Sequence, residues 1–539
     1  MASLNFKGKS IIRNYHFAVK YHELIPDKEK SLTARVSLND NLIIHGDNLK
    51  ALKALLPTYA GKIKCIYIDP PYNTGNQTWI YNDNINSPMM QEWLGKEVDR
   101  EDLTRHDKWL CMMMPRLKLL RDLLHIDEGI IFVSIDDNEL ANLKLLMDEL
   151  FGSENWFATL TRRAMHTVRN SSKDFNLNTD YILVYAKNKL WHGLEKSRYI
   201  RVPMDKTGSY PYDDNDGKGP YKLDPISARN YYTPYEHIFN NGVKWSAPAG
   251  SYPRYAEDTL TEMEVDNEIV FSGKEPKAKR YLWEVQEGRP PDSLLLPEDV
   301  GFNSTGTTLL RTILGGGKFP QPKPVELISY IFNMIRDKNA IILDSFAGSG
   351  TTAHAVLDLN KEDGGNRKFI LVECEDYADS ITAERVRRVI QGVPNAKDEK
   401  LKNGLGGSFS YFELGNPIEV ESILEGEKLP RYMDLARYVF YTATGDEFIP
   451  EKVDEARHFI GESKEYEVYL FYKPDIAYLK ATALTLDSAK ELGEYNGKKK
   501  LVFAPTKYLD LADGELLAKH GIKGLEYCQL PFEIYRLKE

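Results

Sequence analysis

Ala340-Ile341-Ile342-Leu343-Asp344-Ser345-Phe346-Ala347-Gly348-Ser349-Gly350-Thr351-Thr352 is the stretch that decides the fold. The apolar run at its start reads as a buried strand, and helical residues follow from Ala353 to Leu359. Glycines at a strand-to-helix turn let the backbone approach a ligand closely, and the helix N-terminus behind them presents N–H groups with no helical partner. No Gly-Lys-Ser/Thr follows the glycines, so this is not a Walker loop, and the full Gly-x-Gly-x-x-Gly spacing is missing. The next strand, Phe369-Ile370-Leu371-Val372, ends in Glu373-Cys374-Glu375. An acid at the end of the second strand is placed to bind ribose hydroxyls, as in other doubly wound nucleoside sites.

A second strand end lies far upstream. Lys64-Cys65-Ile66-Tyr67-Ile68 runs into Asp69-Pro70-Pro71-Tyr72, where the prolines forbid strand or helix from continuing. An exocyclic amine on a nucleobase is a poor nucleophile, because its lone pair is delocalised into the ring. A catalyst must hold both amine hydrogens and encourage a pyramidal nitrogen. Asp69 offers one acceptor and the Pro70 carbonyl a second, while Tyr72 offers a ring on which a base stacks. Read alone, the same four residues also describe a proline-rich corner.

With both strand ends in view, the chain resembles the amino-methyltransferases that move the methyl of S-adenosylmethionine to adenine or cytosine amino groups in DNA. Asp344 to Gly350 looks like that family's cofactor loop, Glu373 like its ribose-binding acid, and Asp69 to Tyr72 like its catalytic motif. The catalytic motif precedes the cofactor loop, which resembles the permuted beta class. His45-Gly46-Asp47-Asn48-Leu49, Asn73-Thr74-Gly75, Lys323-Pro324-Val325-Glu326-Leu327 and Asp363-Gly364-Gly365-Asn366-Arg367 are similar to modification subunits of type III restriction systems and their solitary relatives. The resemblance covers roughly the first 415 residues. It implies a Rossmann-like α/β methyltransferase fold, S-adenosylmethionine as cofactor, duplex DNA as substrate, and a restriction subunit and a second copy of the chain as partners. Aspartate in the first motif position implies adenine rather than cytosine.

The resemblance carries roles onto residues. Asp69, Pro70, Pro71 and Tyr72 are the expected catalytic group. Asp344 is expected to receive the cofactor's ammonium, or else to cap the loop. Phe346 is expected to line the adenosine pocket, or else to plug the sheet edge. Gly348, Gly350 and Glu373 complete the cofactor site, and Lys323 begins a helix expected to wall the methionine end. That helix also reads as an ordinary start with proline in its first turn.

The 539 residues exceed one core, so two or three domains are expected. A hydrophobic fraction of 42% with 28% charged residues describes an ordinary soluble chain. No apolar run approaches the ~18 residues of a membrane span and the N-terminus has no secretory pattern, so a cytoplasmic protein is expected. Four scattered cysteines, Cys65, Cys111, Cys374 and Cys528, have neither disulfide density nor metal spacing. They read as buried thiols, and no metal is expected.

A net charge of -10 argues against a DNA-binding surface until its distribution is considered. From Arg162 to Lys206 ten Lys/Arg stand against four Asp/Glu. Arg162, Arg163 and Arg169, with Lys277 and Lys279 further on, are therefore the expected phosphate contacts. A solvated charge run reads the same way.

Domain organisation follows from these landmarks. Residues 1–40 are expected to be an N-terminal extension and 41–160 the catalytic half, whose alternation of strands and helices predicts a parallel sheet covered on both faces. Residues 161–310 are expected to be a target recognition domain, because tyrosine, proline, glycine and aspartate crowd around Gly208 to Pro225 and Tyr231 to Tyr235. Asp213-Asp214-Asn215-Asp216-Gly217 reads as a turn, since a calcium loop needs different ligand spacing. Residues 311–409 are the cofactor-binding half and 410–539 a small α/β module. Three other functions share parts of this pattern: cytosine N4 methylation, a catalytically idle specificity subunit that directs a nuclease, and methylation of RNA or protein.

Overall fold

A computed structural model describes residues 4–74, 104–166, 175–195, 198, 200–203, 209–271, 275–284, 288–316, 319–418, 429–511 and 514–530. Two compact units emerge, one formed by Met1–Tyr199 with Asp292–Glu539 and one by Ile200–Pro291.

The larger unit is built on a ten-stranded sheet. Its strands are β1 (His22–Leu32), β2 (Leu42–His45), β3 (Cys65–Ile68), β4 (Ile130–Ile135), β5 (Trp156–Arg163), β6 (Thr179–Ala186), β7 (Leu294–Leu295), β8 (Ile341–Asp344), β9 (Lys368–Glu373) and β10 (Phe409–Pro417). They lie in the order β1-β10-β2-β9-β8-β3-β4-β6-β5-β7. The six strands from β10 to β4 are all parallel. Each of the middle strands is an apolar run buried on both faces, as a parallel sheet between helical layers requires. The expected all-parallel sheet is corrected at its margins, where β1, β6 and β5 run antiparallel to their neighbours β10, β4 and β6.

Helices Asn48–Tyr59, Arg105–Leu123 and Leu140–Phe151 follow β2, β3 and β4 in the chain, and bury leucine- and methionine-rich faces in the main core. The first 40 residues do more than pack on that core, because β1 extends the sheet through β10. Among the described residues no helix is long and apolar enough to cross a membrane.

Two expected boundaries move. Residues 161–310 are not one domain: β5, β6 and β7 belong to the large sheet, and Leu183 and Tyr185 of β6 enter its core. The apolar run Tyr181 to Tyr185 is buried against that sheet, while the charge count around it masked the strand. Only residues 200–291 form a separate unit, with a three-stranded sheet of Tyr221–Pro225, Lys277–Tyr281 and Ile269–Val270. Its small core holds Ile226, Phe239, Trp245 and Leu260. The Asp213 to Gly217 segment is a turn there, with Asn215 and Gly217 at positive φ. At the other boundary, β10 pairs with β2, so the C-terminal module starts beyond it. That module is a four-stranded sheet, Phe459–Glu462, Tyr466–Leu470, Lys499–Ala504 and Leu525–Gln529, on helix Tyr432–Thr444. Cys65, Cys111 and Cys528 are buried thiols; Cys374 is exposed, because it lies just past the end of β9.

Candidate active site

The central placement of β3, between β8 and β4, delivers Asp69 to the middle of the sheet edge. Register sets Leu343 opposite Ile66, so Asp344 and Asp69 leave neighbouring strands on the same side. The turn after β3 is braced from behind. Trp109, fully buried on helix Arg105–Leu123, donates from Nε1 to the Pro71 carbonyl at 2.7 Å. Asn73 adopts φ 57°, a conformation that asparagine tolerates better than most residues. Its Nδ2 donates to Glu139 Oε1 at 2.5 Å. Glu139 is buried as well and accepts from His106 Nδ1 at 2.6 Å and Asn142 Nδ2 at 2.8 Å. Burial pushes its carboxyl above the ordinary range, against the pull of these donors.

Lys323 reaches towards both strand ends. Its backbone carbonyl accepts from Thr351 Oγ1 at 3.3 Å, on the glycine-loop side, and its ammonium lies at the Asp69 turn. Nζ lies 2.5 Å from the Tyr72 hydroxyl, 3.2 Å from Asp180 Oδ2 and 3.4 Å from Asp69 Oδ1. The opposite charges of Asp69 and Asp180 draw it there. Burial, followed by the Asp69 and Asp180 charges, holds the Tyr72 phenol well above its ordinary value, so it stays neutral.

Around the glycine loop the expected residues converge. Asp344 Oδ1 accepts from Phe346 N at 3.0 Å and Oδ2 from Thr352 Oγ1 at 2.6 Å. Burial raises the Asp344 carboxyl to about 7, with the Asp69 and Glu373 charges adding to the rise and the two donors opposing it. Glu373 Oε2 accepts from Gly348 N at 2.7 Å, while Oε1 accepts from Cys374 N and Glu375 N at 2.9 and 3.1 Å. Gly348 and Gly350 adopt φ 52° and 76°, and a Cβ at Gly350 would stand 3.1 Å from the Thr382 carbonyl. Phe346 packs partly buried against the main core, a placement that both expected roles share.

Further side chains support the loop, and the contacts they make were not visible in the sequence. Asn48 donates to the Ser345 carbonyl at 3.0 Å and accepts from Arg116 Nε at 2.6 Å, which ties the start of helix Asn48–Tyr59 to the loop. Arg385 is fully buried and donates to Ser349 Oγ at 3.0 Å and Thr351 Oγ1 at 2.8 Å. Thr382 Oγ1 donates to the Gly348 carbonyl at 2.6 Å. Arg385 and Thr382 belong to no short motif, whereas Asn48 stands in the His45 to Leu49 motif. The one available signal was an arginine in the strongly amphipathic helix Glu384–Gln391.

The donor and acceptor set fits a zwitterionic nucleoside such as S-adenosylmethionine. A carboxylate has about four acceptor sites. Asp344, buried and engaged by two donors, has capacity for an ammonium, whose charge would offset its desolvation. Glu373, with three donors, has room for a hydroxyl.

The expected phosphate contacts divide. Arg162 is 1% exposed, donates to Asn303 Oδ1 at 2.8 Å and lies 3.6 Å from Asp180. It is a structural cation, because alternation along β5 turns it inward and Arg163 outward to solvent. Lys279 is likewise buried, 2.5 Å from Asp214 and against the Tyr221 ring, so it too is held by partners within the protein. Lys277 is half-buried on that strand, and Arg169 lies outside the described residues.

Comparison with known proteins places this geometry in context. Residues 63–384 match a family described as DNA methylase. The chain is 32% identical over 452 residues to the StyLTI type III Mod subunit of Salmonella typhimurium, covering 77% of this chain and 66% of that protein. It is 29% identical to the EcoPI Mod subunit of Escherichia phage P1, covering 78% and 73% of the two chains. It is 30% identical to the type II methyltransferase M.KpnI of Klebsiella pneumoniae, covering 73% of this chain and 96% of that one. The match thus spans slightly under two thirds of the Salmonella subunit.

Proposed function

This chain belongs to the DNA methylase family, and on that footing we propose that it transfers the methyl group of S-adenosylmethionine to the N6 amino group of adenine in duplex DNA. The reading is carried by one observation: Asp69 and Asp344 leave adjacent parallel strands at the same sheet edge, which sets an amine-binding turn beside a nucleoside-binding loop. The chain's similarity to Mod subunits supports a role as the modification component of a restriction system. A restriction subunit and a second copy of the chain are the partners this role expects. The separate unit 200–291, inserted between the two motifs and carrying exposed Tyr231 and Trp283, is the proposed target recognition domain.

The residues have distinct tasks. Asp344 would hold the cofactor's ammonium and Glu373 its ribose, with Gly348 and Gly350 allowing close approach of the backbone. The bound cofactor supplies a methyl carbon made electrophilic by its sulfonium. On the substrate side, the adenine leaves the duplex and stacks on Tyr72. Asp69 and the Pro70 carbonyl accept the two amine hydrogens, orienting the nitrogen lone pair towards the methyl. Asp69 need not be a strong base, because the nitrogen can release its proton after it becomes cationic. Its contribution is orientation and electrostatics.

Tritiated methyl transfer to unmethylated duplex DNA, followed by nucleoside digestion and mass analysis, tests the reading. N6-methyladenine is expected, and Asp69→Ala should abolish it. N4-methylcytosine would overturn the base assignment, and equal incorporation by Asp69→Ala would remove Asp69 from the mechanism. Long-read sequencing of DNA from expressing cells adds strand symmetry: methylation of one strand in an asymmetric site agrees with a Mod subunit, whereas both strands of a palindrome contradict it.

A further inference from the structure

Two carboxylates and two cations alternate beside the catalytic turn: Asp69, Lys323, Asp180 and Arg162. Successive separations are 3.4, 3.2 and 3.6 Å. The chain of charges is electrically balanced, which offsets the desolvation of each member. Lys323 is its pivot, with its side chain only 10% exposed.

The position of the ammonium is informative. It is 2.5 Å from the Tyr72 oxygen and 4.8 Å from the ring centre, so it sits at the hydroxyl end of the ring rather than above its middle. A tether there restrains rotation of the ring about χ1 without lying across its face. The contact with Asp69 is of a different kind. Oδ1 of Asp69 is buried and has no hydrogen-bond partner, although the ammonium stands 3.4 Å away. The charge of the carboxylate is balanced and Oδ1 keeps its acceptor capacity, while the Tyr72 hydroxyl lies within hydrogen-bonding reach of the same carboxylate. Lys323 itself is fixed from both ends. Its backbone carbonyl accepts from Thr351, at the start of the helix behind the glycine loop, and the following helix Val325–Phe332 is largely buried.

We propose that Lys323 is a positioning residue for methyl transfer, tethering the Tyr72 ring and balancing the charge of Asp69 without occupying the oxygen that the target amine needs, and that Asp180 holds it there. This rests on the functional reading above and removes Lys323 from cofactor recognition. The roles separate physically: a cofactor residue changes cofactor affinity, whereas a positioning residue changes turnover at saturation.

Lys323→Met, Lys323→Arg and Asp180→Asn in the full chain test this by methyl transfer to unmethylated plasmid DNA at saturating S-adenosylmethionine, with cofactor affinity from calorimetry. Misplacement of reacting groups by about 1 Å lowers rates about 100-fold, so Lys323→Met should lower kcat by roughly 10–100-fold. Its cofactor Kd should stay within about twofold. Lys323→Arg should recover part of the loss, and Asp180→Asn should lower kcat in the same direction by a smaller factor. Unchanged melting temperatures separate these effects from misfolding; if Lys323→Met fails to fold, Asp180→Asn and Lys323→Arg carry the test. A tenfold weaker cofactor Kd with normal turnover overturns the proposal, as does unchanged kcat. Absence of methyl transfer by the unaltered chain would instead overturn the functional reading, and the positioning role with it.

Discussion

Trp109 Nε1 holds the Pro71 carbonyl at 2.7 Å, so the second carbonyl of the catalytic turn is committed to the protein itself. The neighbouring Pro70 carbonyl is the one that the proposed mechanism assigns to the target amine. Trp109→Phe keeps most of the apolar bulk but removes the donor from a buried site. An unsatisfied buried acceptor costs about 1–3 kcal/mol. The variant should melt at a lower temperature and turn over more slowly, as thermal denaturation and methyl-transfer assays would show. Normal values of both would mean that the bond does not set the turn.

The proposed contact of Asp344 with the cofactor's ammonium predicts an affinity that depends on pH. The folded-state value of the Asp344 carboxyl, about 7, lies above the ordinary 3.8, chiefly through burial. The folded protein therefore keeps a proton that the unfolded chain releases, and the stability from this group declines as pH rises through the interval between those values. An ammonium prefers the ionised carboxylate, so affinity should rise with pH up to about 7, before the ligand's own α-ammonium loses its proton at about 8. Calorimetry should find S-adenosylmethionine bound roughly fivefold tighter at pH 7 than at pH 6. Asp344→Asn should bind weakly with that dependence lost. A flat profile for the unaltered chain would refute the assigned contact.

Gly350 caps helix Thr351–Asp363 at φ 76°, and its missing Cβ faces the Thr382 carbonyl. A residue bearing a side chain is disfavoured in this conformation by about 1–2 kcal/mol. Gly350→Ala should lose at least that much stability in urea denaturation. It should also bind cofactor less tightly, because the loop must shift. A variant as stable as the parent would show that the loop tolerates the change.

Arg163 and Lys277 are the candidate phosphate contacts that the structure leaves at least partly accessible. Each neutralised phosphate contributes about 0.9 to the slope of log affinity against log salt. Alanine at both positions should weaken DNA binding similarly across sequences and flatten that slope by up to about 1.8. Lys279→Met should leave the slope unchanged and destabilise the 200–291 unit, since Lys279 is buried against Asp214. An unaltered slope for the double variant would move the DNA surface elsewhere.

Much of the fold was legible in local residue patterns. The strands around Ile66, Ile342 and Ile370 fall within one or two residues of expectation, and the helix expected from Ala353 to Leu359 is the middle of Thr351–Asp363. Apolar runs ended by prolines or glycines act through contacts a few residues apart, which a linear chain displays. The antiparallel margins and the extent of the inserted unit were less visible. Tyr181 to Tyr185 is an equally apolar run, yet whether it joins the large sheet depends on β4, whose Ile131 pairs with Tyr185.

The sequence by itself determined the two strand-end motifs and the chemistry they carry, because Asp69-Pro70-Pro71-Tyr72 and Asp344 to Gly350 are shaped by their own prolines, glycines and preceding strands. Only the tertiary structure decided that these ends are neighbours, that the Lys323 ammonium meets the Tyr72 hydroxyl across 251 positions of chain, and that Arg162 and Lys279 are internal cations while Arg163 faces solvent. The physical reason is that strand adjacency and the partner of a buried charge are set by surfaces contributed from distant segments. A lysine or arginine looks the same in the sequence whether it faces a carboxylate or water.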